Sequence, residues 1–277
     1  MAAKPARQTP RKSENNSDAE GPPTRDYRIE ALAKGLRVLS LFSEQTPTLR
    51  LSDIASETGM LMPGVYRIAM TLVSEGYLEQ MPDGGYRPGM RVLSLGFSAL
   101  RSLDMVELAT SALRQLADAT GETVNLASLV GDKVLYLVRL RNGDLVTANI
   151  QVGSTLPAVY TSIGKVLLAH LEEDELRARI TPASFEASAG PKAATSLEAL
   201  MPQLVRIRSD GFATQDEEVA YGLRSVAAPI RDENAVVVAG VNVAVNAMEW
   251  TRNRLVKELQ PLVLRCADDI SGLLGHR

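Results

Sequence analysis

Apolar residues recur at helical spacing in some stretches of this chain and alternate in others, so the pattern alone predicts its elements. Residues 27–42, YRIEALAKGLRVLSLF, set Ile29, Leu32, Leu36, Leu39 and Phe42 on one face of an amphipathic helix. A loop through Pro47 follows. Residues 51–77, LSDIASETGMLMPGVYRIAMTLVSEGY, read as two short helices about a tight turn. Ser52 is expected to cap the first, with Asp53 in its first turn, where an anion is favoured. Ile54, Ala55 and Thr58 keep helical spacing and Gly59 stops the helix. Pro63 suits the first position of the second helix. There Val65, Ile68, Ala69 and Leu72 form one apolar stripe, and Tyr66, Arg67, Met70 and Thr71 fall off it and face outward. A helix, a glycine turn and a helix with a polar outer face is the helix-turn-helix pattern. Residues 77–80 and 85–88 read as strands around Asp83-Gly84, a hairpin signal. Together these predict a winged helix-turn-helix over residues 27–89.

Residues 90–104 predict a linker helix, with Val92, Leu95, Phe97 and Leu100 near helical spacing. Another helix spans 105–120 and ends at Gly121. The pattern then turns β-rich. Residues 123–130 and 133–140 are joined by Gly131-Asp132, and Asn142-Gly143 leads into a third strand at 145–152. Helices are predicted at 161–171, 172–180 and 196–209, strands at 225–232 and 235–245, and a long helix at 250–274. Segregated strands and helices make residues 105–277 an α+β domain with an antiparallel sheet. Residues 1–26 are polar, rich in Pro, Ser and charge, and without period, which predicts a disordered tail.

Composition narrows the chemistry. The 277 residues carry a net charge of -3. Residues 1–104 hold 13 Lys and Arg against 12 Asp and Glu, or +1; residues 105–277 hold 17 against 21, or -4. Any contact with DNA must come from local placement of charge. The single cysteine, Cys266, excludes an internal disulfide, and two histidines leave little for a metal site. No metal and no cofactor are expected. No apolar run would span a membrane and no signal-peptide core is seen, so a cytoplasmic location is expected. HExxH, GxSxG and GxGxxG are absent, which argues against an enzyme acting on a small acid. A sensor that recruits protein in place of DNA is the other alternative.

Four segments carry a family resemblance: LAKGLRVLSLF (32–42), LSDIASETG (51–59), LPAVYTSIGKVLLAHL (156–171) and GFATQDEEVAYGLRSVAAPIRD (211–232). From Tyr27 onward the chain resembles IclR-type transcriptional regulators. TSIGKVLL, GLRSVAAPIRD and VNVAV resemble the branch that controls aromatic-acid (protocatechuate and β-ketoadipate) catabolism. The resemblance implies a winged helix-turn-helix followed by a GAF-like effector domain. It implies a homodimer paired through the N-terminal domains, often a tetramer, that binds operator DNA under the control of a small organic acid.

The resemblance also marks sites. The family's recognition helix usually opens with a basic residue and Ser or Thr, whereas here Met62, Pro63 and Gly64 stand there. Base reading then falls on Tyr66 and Arg67, with Thr71 nearby, and on apolar contact from Met62 or Val65 to a thymine methyl. Ser52 joins this DNA-facing set. Thr161, Ser162 and Ile163 open a helix whose backbone N–H groups suit a carboxylate, and the family lines its effector pocket with this segment. Gly164-Lys165 has the look of a phosphate loop, but Val159 replaces the needed glycine and Val166 follows the lysine, so nucleotide binding is rejected. Gln215, Ser225, Asn242 and Ala244 match pocket positions of the family. Asn242, among apolar neighbours, needs a partner from ligand or backbone. Asp216-Glu217-Glu218 reads as a solvated turn.

Overall fold

The computed structural model describes residues 28–43, 46–101, 104–141, 150–185 and 190–276, in two units, Met1–Gly89 and Met90–Arg277. The expected disordered tail at 1–26 and most of the expected strand at 145–152 lie outside the described residues.

The first unit holds α1 (Glu30–Leu39), α2 (Leu51–Thr58), α3 (Met62–Ser74) and a hairpin of β1 (Leu78–Gln80) and β2 (Tyr86–Pro88). Val38, Ile54, Val65, Ala69, Leu78 and Tyr86 form its core. Gly59 closes α2 in the left-handed region at φ 67°, as its lack of a Cβ allows. The start of α2 corrects the expectation for Ser52. Arg50 holds the cap position, and its N–H donates to the Asp53 carboxylate at 2.8 Å. That reach-back fixes the helix start ahead of Leu51 and leaves Ser52 exposed inside the first turn. Likewise α3 begins at Met62, and Pro63 takes its second position, where a missing N–H still costs nothing. In the hairpin, Asp83 Oδ1 accepts from Gly85 N–H at 3.0 Å and Arg87 pairs with Glu79 at 2.8 Å. The apolar face expected of the first helix is only half used. Val38 is buried and Leu39 and Phe42 pack against the cluster, but Ile29, Leu32 and Leu36 stay exposed.

The second unit runs α4 (Met90–Arg101), α5 (Asp104–Thr120), β3 (Thr123–Val130), β4 (Lys133–Leu140), β5 (Thr155–Pro157), α6 (Ser162–Ala169), α7 (Glu173–Arg179), α8 (Leu197–Asp210), β6 (Ala213–Asp216), β7 (Leu223–Arg231), β8 (Val237–Asn246), α9 (Arg252–Arg254) and α10 (Gln260–Leu273). Its strands form an antiparallel sheet in the order β5-β4-β3-β8-β7-β6. The residues of β8 sort by alternation. Ala239, Val241, Val243 and Val245 join Leu113 of α5 and Val263 of α10 in one cluster. On the opposite face, Ile163 of α6 presses on Gly240, where a Cβ would stand 2.9 Å from Ile163 Cγ2. Val166 of α6 and Leu200 and Leu204 of α8 complete that layer with Ala127 and Ala227.

Three details differ from the pattern reading. The third strand of the meander is Thr155–Pro157, paired with residues 133–135, and residues 150–152 are not strand. β6 is a four-residue edge strand, too short for alternation to reveal. The final helix starts at Arg252, capped by Thr251, and passes through a π-helical turn at Leu255–Leu259 just before Pro261, which has no N–H to donate.

His170 ends α6 in a defined tautomer. Its Nδ1–H donates to the Val166 carbonyl at 2.8 Å, and Nε2 accepts from the Arg231 guanidinium at 3.0 Å. The second bond needs a neutral ring. Burial, and then the Arg231 and Arg208 charges, hold its pKa below the ordinary 6.5. The unfolded chain therefore binds more protons, so this stabilisation is present above pH 6.5 and is lost as pH falls. Urea midpoints should drop more steeply from pH 7 to 5 for the native chain than for His170→Gln; parallel declines would refute this.

Candidate functional site

The first candidate surface is the outer side of α3. Val65 and Ala69 anchor the helix to the core, and this turns Met62 (47% exposed), Tyr66 (52% exposed) and Arg67 outward. Val65 itself is fully buried and offers no surface, which corrects the expectation that it could meet a thymine methyl. The Thr71 hydroxyl is spent on the helix, donating to the Arg67 carbonyl at 2.8 Å. Gly64 is not required by packing, since nothing lies within 4 Å of where its Cβ would be. It instead leaves the exposed start of α3 bare for close approach by another backbone.

The second candidate is a cavity of the sheet unit with a volume near 20 Å³, room for about one water. Thr161, Ser225, Asn242 and Ala244 line it, as do Asn125, Tyr136 and Arg139, which the sequence reading did not single out. Leu156, Val219 and Leu223 supply apolar wall. Ser162 and Gln215 stand behind it and reach it through hydrogen bonds, whereas Ile163 points into the core.

A continuous chain of buried hydrogen bonds joins these groups. Arg139 donates to Asn125 Oδ1 (3.1 Å), Asn125 Nδ2 to Asn242 Oδ1 (2.8 Å) and Asn242 Nδ2 to Ser162 Oγ (3.2 Å). Ser162 and Ser225 hydroxyls share a bond of 2.7 Å. The Gln215 amide is best satisfied with Oε1 accepting from the N–H groups of Glu218 (2.9 Å), Val219 (3.1 Å) and Glu217 (3.3 Å), which turns Nε2 toward Ser225. Asn242 thus takes side-chain partners, not the ligand or backbone expected for it. Register explains the row: Asn125 faces Arg139 on one side and Asn242 on the other.

Glu218 overturns the solvated-turn expectation for 216–218. It is buried and pairs with Lys165 Nζ at 2.6 Å; Lys165 is 1% exposed and also donates to Gln203. Burial, working against the pull of Glu218, lowers the Lys165 pKa from its ordinary value. Asp216 is engaged as well, with Arg224 at 2.6 Å and Lys192 at 2.8 Å, and Glu217 with Lys192 at 2.9 Å. Lys165 and Gly164 therefore serve packing and charge pairing. Among the described residues no acidic, His or Cys cluster is arranged to hold a metal ion, and no helix is long and apolar enough to cross a membrane.

A helix-turn-helix with an exposed second helix and a wing, carried by a chain with a separate pocketed sheet unit, defines a DNA-binding regulator. Comparison with known proteins supplies its family. Residues 31–82 match the IclR helix-turn-helix domain, and residues 97–272 match the bacterial transcriptional regulator IclR C-terminal domain. The chain belongs to the IclR family of transcriptional regulators and is not an enzyme. It is 32% identical over 244 residues to the Pca regulon regulatory protein of Pseudomonas putida, across 87% of this chain and 83% of that one. An IclR family transcriptional regulator from Brucella abortus superposes with a TM-score of 0.76 at 27% identity, covering 93% of this chain and 97% of that one. An IclR homolog from Microbacterium hydrocarbonoxydans, complexed with 4-hydroxybenzoate, gives 0.71 at 26% identity, with 88% and 98% covered.

Proposed function

We propose that residues 27–89 bind operator DNA through α3, that 90–104 link them to the remainder, and that residues 105–277 bind a small aromatic acid which modulates operator affinity in the cytoplasm. The observation that carries the effector half is the pocket itself: a buried polar row against a wall of Leu156, Val219 and Leu223. The likeness to a 4-hydroxybenzoate-bound homolog and to the Pca regulon regulator supports an aromatic ligand. Gln215 and Ala244 make the pocket less charged and less polar than one built for C2 or C3 acids. An effector works by favouring one arrangement of the protein, so it must bind the DNA-competent and incompetent states unequally. The exposed Ile29, just before α1, and Leu32 and Leu36 within it suit burial against a second copy, which supports a homodimer or a dimer of dimers.

Fluorescence anisotropy with the chain's own upstream DNA tests the whole reading. Addition of 4-hydroxybenzoate or 3,4-dihydroxybenzoate is expected to shift operator affinity; a response to glyoxylate and pyruvate alone would overturn the aromatic assignment. Binding should weaken steeply with salt, as phosphate contacts require. Arg67→Ala is expected to cost about 1–3 kcal/mol of operator affinity. Unchanged affinity would remove Arg67 from the interface.

A further inference from the structure

The start of α3 presents an apolar tip. Leu61, the residue before the helix, is 83% exposed, and Met62 and Pro63 are exposed beside it. None of Leu61, Met62, Pro63 and Gly64 has a side chain that donates a hydrogen bond, and none carries charge. The backbone here is committed as well. The Gly64 and Val65 N–H groups both donate to the Leu61 carbonyl, at 2.9 and 3.1 Å, and Pro63 has no N–H. The first turn is therefore poorly furnished to hold a phosphate, which needs free donors at a helix start.

Polar reach begins a turn later. Arg67 is the sole charged residue of α3, and Tyr66 stands four residues past Met62, on the same side. The hydroxyls of Thr71 and Ser74 donate back to the carbonyls of Arg67 and Thr71, each at 2.8 Å. The outward side of α3 thus has a cationic middle and an apolar end. Neighbouring large apolar groups left this exposed mark a contact surface. Their place on the second helix of the helix-turn-helix, next to Arg67, assigns the cover to the major groove that such a helix enters. There the apolar feature of the base edges is the C5 methyl of thymine. Gly64 adds no side chain that would hold the tip away from the bases.

We propose that Leu61 and Met62 select the operator by packing on thymine methyl groups, so that A·T pairs under the start of α3 are specified by apolar contact. This rests on the reading that α3 binds operator DNA. It gives Leu61 a contact that the buried Val65 is unable to make.

The test is fluorescence anisotropy of the full chain on its own upstream duplex, made with thymine or with deoxyuridine throughout the footprinted site. Uracil keeps every hydrogen-bonding group of thymine and lacks only the methyl. The native chain should bind the uracil duplex at least about 4-fold more weakly, the worth of one buried methyl group. The double variant Leu61→Ala, Met62→Ala should lose a similar factor on the thymine duplex and should no longer distinguish the two. Arg67→Ala should weaken both duplexes and keep the native thymine-to-uracil ratio. Melting curves of each variant check that it is folded. Equal binding of both duplexes by the native chain, or a native thymine-to-uracil ratio in the double variant, would overturn the methyl contact and leave operator binding by α3 intact. If the native chain binds neither duplex, even at low salt, the operator reading itself fails and the methyl contact with it.

Discussion

Glu218→Leu is expected to destabilise the sheet unit by about 3–5 kcal/mol, the range for breaking a buried ion pair from one side. The cause is not the loss of attraction alone. Lys165, 1% exposed, would be left with the neutral Gln203 oxygen at 3.3 Å as its acceptor. With its paired carboxylate gone and only the more distant Asp216 charge left, burial would favour deprotonation of this ammonium. The variant should therefore regain stability as pH rises from 7 toward the ordinary lysine value of about 10.4, because its unfolded state still holds the proton that the folded state gives up. The double variant Lys165→Met, Glu218→Leu should recover most of the loss, since apolar replacement of a buried pair is often close to neutral. Urea unfolding followed by circular dichroism decides the matter. A single variant within about 1 kcal/mol of the native chain would show that water reaches this pair.

Gly164→Ala is expected to cost about 3 kcal/mol, at or above the upper end for overpacking. A Cβ there would overlap the carbonyl oxygen and Cα of Ala158, both backbone atoms that no rotamer change can move aside. Either α6 or the 3₁₀ turn Ala158–Tyr160 must shift, and α6 is also pinned from below by Ile163 on Gly240. The shift would carry Thr161 and Ser162 with it and so disturb the buried polar row. Gly272→Ala is the matched control. Nothing lies within 4 Å of its added Cβ on α10, so it should stabilise by about 0.4–1 kcal/mol. Thermal melts of the two variants should move in opposite directions; a tolerated Gly164→Ala would refute the packing account.

Much of the architecture was legible because local rules governed it. Gly59 closes α2 at positive φ, Asp83-Gly84 makes the wing turn, Gly131-Asp132 joins β3 to β4, and Ser196 caps α8 by accepting the Ala199 N–H. Each depends on neighbours within a few residues. The outward side of α3 was legible for the same reason, since a stripe of buried residues fixes what must face away. Expectations failed where distant partners decide. Glu218 reads as one acid in a run of three, and only a lysine 53 residues away in sequence makes it a buried half of an ion pair. Asn242 finds Asn125 across 117 residues and Ser162 across 80. Ser52 is a local exception, having lost the cap because Asp53 reaches back three residues to Arg50.

The sequence by itself determined the periodic elements, the helix-turn-helix and its wing, and four of the residues that line the pocket, Thr161, Ser225, Asn242 and Ala244. What the tertiary structure alone decided is which of them meet. The run KVLYLVRL carries no mark of a bulge, because extra backbone length is set by how β4 must register against β3. Leu126 pairs with Val138 but Ala127 with Tyr136, and that one slip at Leu137 turns Arg139 to the pocket face of the sheet, beside Tyr136 and opposite Asn125. Side-chain direction in a strand is a property of pairing, and pairing is not local.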